Sequence, residues 1–147
     1  MQVLSLTAQG LKILLPVNMV AQIIGRAKLV QDPAQRFKSN AGDFRWREYS
    51  VPLLRTSELV GASESADDEY ERIVVLWPMK SASSRSFIGL TSLAPPRVIE
   101  ISGQPSAERP ADTQYILDCV QLDGDLGLIP DIDQVSRDLF EDSGQNS

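Results

Sequence analysis

The chain has 147 residues, 42% hydrophobic and 23% charged, enough for one well-buried core but short for two generous domains. It has no histidine and a single cysteine, Cys119, which excludes imidazole bases, histidine-ligated metals, a disulfide framework and thiolate zinc sites. The net charge of −6 disfavours non-specific binding to nucleic acid or anionic membrane, yet residues 1–60 carry a net +4 and residues 61–147 a net −10. One basic and one acidic patch are expected.

The apolar start of the chain is interrupted by Gln9, Gly10, Lys12, Pro16, Asn18 and Gln22, so it reads neither as a secretory leader nor as a membrane span. With a lone cysteine, that points to a cytoplasmic protein with no direct membrane insertion. The dominant hydrophobic period is two. Val3–Leu6 and Leu11–Leu15 flank a Gln9-Gly10 turn, and Val20–Ile24 makes a third short strand. Phe44-Arg45-Trp46-Arg47 alternates ring and guanidinium, placing the rings on one face and the arginines on the other. Residues 49–54 follow as a strand, and the continuous run 73–77 reads as a central strand buried on both faces. Residues 86–90, 97–101 and 115–121 continue the series, and Asp123-Gly124 marks a second hairpin. About ten short strands with frequent turns predict a mostly β barrel or sandwich.

One helix is marked, at the C-terminal end. Asp131 caps it, Gln134 follows three residues later, and Pro130 lies just outside. Ile132, Val135 and Leu139 form a narrow apolar stripe for docking on a sheet. Residues 61–71, 80–85 and 102–113 read as exposed connections.

The chemistry-bearing motifs are few. No phosphate-binding loop, dinucleotide fingerprint or zinc spacing is present. Asp67-Asp68-Glu69 is a solvated carboxylate run, and Asp123-Gly124-Asp125 lacks the later ligands of a calcium loop. Cys119, in an apolar strand with no basic neighbour, reads as a buried inert thiol. The pattern predicts no enzyme and no cofactor. The strand at 44–49 offers an alternative: aromatic and basic residues alternating on a β surface can hold single-stranded nucleic acid. Against it stand rings that face the core and an acidic remainder of the chain.

The segment Gly42-Asp43-Phe44-Arg45-Trp46-Arg47-Glu48-Tyr49-Ser50-Val51-Pro52-Leu53-Leu54 resembles the G-V-I-N-L-R-G-E-I-I-P-V-V-D-L signature of CheW-like domains, with Gly42, Arg47 and Pro52 in register. Ile13–Val17 followed by Val20-Ala21-Gln22-Ile23 is similar to the family's strand, proline and V-x-E-V run. Arg72–Leu76, the interval from Gly89-Leu90 to Val98-Ile99, and Leu128–Asp133 resemble three later family segments in order. The resemblance implies two intertwined small five-stranded β-barrels over a shared core, followed by a short C-terminal helix. It implies one domain over 1–141, with the first half-barrel at roughly 17–72, the second from 1–16 plus 73–141, and 142–147 as a frayed tail.

The same resemblance implies a non-enzymatic adaptor linking a chemoreceptor cytoplasmic domain to a CheA-type histidine kinase, as a monomer or in a hetero-complex. A likeness to accessory forms that control type IV pili and twitching motility is also implied. Arg47 falls at the motif arginine, implying a partner contact and a local polar pair. Gln22 stands where a glutamate can pair with it. Arg45 and Arg55 replace an asparagine and an aspartate, so Arg45, Arg47, Arg55 and Gln22 form the expected partner-binding set. Gly42, Trp46 and Pro52 are the expected structural residues. Glu48 in place of the motif glycine argues against a turn requiring positive φ.

Overall fold

The structure is a computed structural model that describes residues 1–31, 37–61, 69–78, 87–101, 115–122 and 124–144, the last four of these by backbone alone. Ten strands form in chain order: β1 (Gln2–Ala8), β2 (Leu11–Pro16), β3 (Val20–Ile24), β4 (Asn40–Trp46), β5 (Tyr49–Leu54), β6 (Arg72–Leu76), β7 (Ile88–Ser92), β8 (Arg97–Glu100), β9 (Ile116–Gln121) and β10 (Leu126–Pro130). A single helical turn, α1 (Thr56–Leu59), follows β5, and α2 (Ile132–Gly144) follows β10. Asp123 and most of the three expected connections lie outside the described residues.

The strands make two five-stranded sheets. Sheet I runs β8-β1-β2-β10-β9 and sheet II runs β3-β6-β7-β5-β4. Across either sheet the pairings repeat in the same order: antiparallel, antiparallel, parallel, antiparallel. Neither sheet closes into a barrel among the described residues, because β8 and β9 remain edges, as do β3 and β4. Sheet II instead curls until the chain after β3 meets β4 at one bridge, where Val30 and Asp43 exchange backbone hydrogen bonds of 2.8 and 2.9 Å.

The expected division of strands is corrected as well. Residues 73–92 do not join the first residues of the chain; β6 and β7 lie inside sheet II, held by their ladders to β3 and β5. A boundary at 72 had split a sheet whose middle strands follow α1.

Packing explains the alternation. β6 is apolar from Ile73 to Leu76 because both of its faces are covered there. Val74 and Leu76 enter the core shared with sheet I, whereas Ile73 and Val75 enter a second cluster with Phe44, Trp46, Val51, Leu53 and Phe87. Leu4, Leu6, Ile13, Leu15, Cys119 and Leu128 of sheet I face the shared core, where the Cys119 side chain is buried and in no disulfide. Buried hydroxyls stitch the sheets together. The Ser92 and Ser57 hydroxyls on the sheet II side accept from the Thr7 and Gln9 backbone amides around the end of β1 at 3.1 Å, and within the sheet II half Thr56 Oγ1 ties α1 to β7 by donating to the Thr91 carbonyl at 2.7 Å.

The C-terminal helix starts as expected, with the Gln134 amide donating to Asp131 Oδ1 at 3.1 Å. Ile132, Val135 and Leu139 are buried in the shared core. The helix continues to Gly144, past the expected boundary at 141, and 145–147 lie outside the described residues. The α1 turn was not foreseen, since four residues are too few to show a helical period.

Candidate functional site at the β4–β5 hairpin

β4 and β5 are joined by a two-residue turn, Arg47-Glu48, between the paired residues Trp46 and Tyr49. Alternation along β4 buries Phe44 and Trp46 and exposes Arg45, as the sequence predicts. The turn does require a positive φ, contrary to expectation, and places it on Arg47 at 56°. A positive φ at the first central residue alone is the φ pattern of a II′ hairpin turn, so Glu48 was never the constrained position.

Trp46 is 4% exposed and sits in an aromatic cluster with Phe87 at 4.9 Å and Tyr49 at 6.2 Å between ring centroids. Its indole Nε1 donates to Gln22 Oε1 on β3 at 2.9 Å, joining the two edges of sheet II by a side-chain bond. The Arg47 guanidinium carbon lies 4.5 Å from the centroid of the same indole. Trp46 thus links Gln22 to Arg47, and the polar partner of Gln22 is the indole. With its ring already covered, Trp46 offers no free face on which a base could stack, which removes the central element of the nucleic-acid alternative.

Arg45 stands outward beside the hairpin tip, opposite Ser50, and makes no ion pair among the described residues. Arg55 is elsewhere. It follows the far end of β5, about 25 Å from Arg47 at strand rise, and pairs with Glu58 of α1 at 3.8 Å. The single basic face expected from Arg45, Arg47 and Arg55 therefore reduces to the first two.

Gly42 has φ 133°, and a Cβ there would come within 2.9 Å of Gln31 Nε2 and 3.2 Å of the Val30 carbonyl oxygen. The crossing of 29–31 over β4 leaves no room for a side chain. Pro52 pairs with Asp43 on β4, and the ladder from β5 to β7 begins only at Leu53, so its missing amide breaks no bond to β7.

Trp77 was not recognised from the sequence as a surface residue. It follows the last residue of β6, contacts Phe87 at 5.9 Å between centroids and is 46% exposed. The signal was Pro78, which ends the apolar run and leaves Trp77 at its margin, on the same side as Val75. Ile23 on the β3 edge is also exposed. No helix among the described residues is long and apolar enough to cross a membrane.

Comparison with known proteins agrees with this architecture. No significant match was found among curated proteins. Among solved structures, the scaffolding protein TtCheW from Thermoanaerobacter tengcongensis superposes with a TM-score of 0.69 at 15% identity. The match covers 88% of this chain and 82% of that one, and likeness at this identity speaks to the fold. The family model described as "CheW-like domain" matches residues 2–140, nearly the whole chain. With ten strands in two sheets, a C-terminal helix and the motif arginine at the β4–β5 turn, the chain belongs to the CheW-like domain family.

Proposed function

We propose that this chain is a non-enzymatic signalling scaffold that joins a chemoreceptor cytoplasmic domain to a CheA-type histidine kinase in the cytoplasm, in chemotaxis or in the control of type IV pili. Membership of the CheW-like family supports an adaptor, and the solved relative is described as a scaffolding protein. The observation that carries the reading is at Arg47: a family-motif arginine, exposed and fixed on a rigid aromatic cluster at a sheet edge. Arg45 beside it adds a second outward cation. Partner recognition through such a surface needs shape, a few donors and no reacting group.

Calorimetric titration of the purified chain against a receptor cytoplasmic fragment and a CheA-type kinase from the same organism tests the proposal. At least one of them binds the unmodified chain. Arg47→Ala weakens that binding while changing unfolding free energy by no more than about 1 kcal/mol, as expected for an exposed side chain. Binding to neither protein overturns the adaptor reading. An Arg47→Ala chain that binds normally overturns this choice of surface.

A further inference from the structure

We propose that Trp46 and Gln22 form a positioning device that holds Arg47 by the face of its guanidinium, leaving the fork of in-plane donors for a carboxylate of the docking partner. The proposal rests on the adaptor reading and adds what fixes the arginine and what it grasps.

A guanidinium can be restrained in two ways. A carboxylate at its edge consumes the N–H donors, whereas an aromatic ring against its face consumes none of them. Arg47 is held in the second way, with its guanidinium carbon 4.5 Å from the Trp46 ring centroid. Among the described residues it forms no ion pair, unlike Arg55, Arg72 and Arg137. The ring beneath it is itself fixed. Phe87 and Tyr49 pack on the indole, and the bond from Nε1 to Gln22 Oε1 sets the rotation of the ring.

The residue at position 22 is decisive. An amide oxygen satisfies the indole N–H and carries no charge to draw the guanidinium off the ring. A carboxylate there would compete for Arg47 from within the molecule. The arginine is thus held in place before binding, and less side-chain freedom is lost when a partner docks. Trp77, exposed on the same aromatic cluster, supplies an apolar contact. The fitting partner is an acidic segment with a carboxylate beside an apolar side chain.

The test uses the full chain, the receptor fragment and the kinase named above, with calorimetry for affinity and NMR for the Arg47 side chain. The Arg47 protons of the unmodified chain are expected upfield of those of Arg45, shifted by the indole ring current. Gln22→Glu, a surface change, is expected to move those signals and weaken binding at least about fivefold through internal competition. Arg47→Lys, which keeps the charge and loses the fork, is expected to weaken binding about tenfold. If the unmodified chain binds while both variants bind equally well, the device is refuted and the adaptor reading survives. Unshifted Arg47 protons also refute the stack. If the unmodified chain binds neither protein, the adaptor reading falls and the carboxylate assignment falls with it.

Discussion

Arg47 has a positive φ, which costs a non-glycine residue about 1–2 kcal/mol, and its contact with the Trp46 ring returns about 0.5–1 kcal/mol at an exposed site. The contact offsets part of the strain of a turn without glycine. Reading Glu48 as a bar to positive φ failed because this turn places its positive φ on Arg47 and not on Glu48. The inward aim of Trp46 was legible, since one period of alternation from Phe44 suffices. Its bond to Gln22 was not, because the two residues are 24 positions apart on opposite edges of a curled sheet. Trp46→Ala removes a buried ring and leaves the Gln22 oxygen without its donor. The loss is expected at about 3–5 kcal/mol in urea or guanidinium unfolding. A loss under about 1 kcal/mol would place the ring outside the core.

At the scale of elements, strands were easier to find than to allocate. Tyr49–Leu54 forms a strand with the expected limits, and the Gln9-Gly10 turn joins β1 to β2 as expected. Allocation depends on ladders between distant segments, and periodicity carries no information about them. Two parallel pairings, β7 with β5 and β10 with β2, place the β6–β7 and β1–β2 hairpins in their sheets, and no turn residue announces either. Helix α2 was legible because its signals are local. A cap, a glutamine three residues on and a buried stripe all fall within nine residues. Asp131→Ala removes the cap and is expected to cost about 1 kcal/mol. The signature is a lower denaturant midpoint with an unchanged slope; an unmoved midpoint would show that the helix is held by its stripe alone.

Across the whole molecule the two sheets follow one plan. In sheet II the chain runs β3, the β4–β5 hairpin, α1, then the β6–β7 hairpin. In sheet I the same sequence of pieces is β8, the β9–β10 hairpin and α2, with the remaining hairpin supplied by β1–β2 at the other end of the chain. Sheet I is therefore completed only when both ends of the chain meet, on the far side of the segment that builds sheet II. The shared core reinforces this linkage, since Leu54, Val74 and Leu90 of one sheet pack in the same cluster as Leu6, Ile13 and Leu128 of the other. Removing either sheet would expose the face that the other lays on this shared core, so the two halves are expected to unfold as a single unit. The natural probes are well placed to test this. Trp46 and Trp77 both belong to the sheet II half, whereas Cys119 lies on β9 of sheet I and is fully buried. Tryptophan fluorescence and the reactivity of the Cys119 thiol, followed along one equilibrium denaturant titration, are expected to trace superimposable transitions. Thiol exposure at lower denaturant than the fluorescence change would mean that sheet I opens alone, and that the shared core binds the halves less tightly than its composition implies.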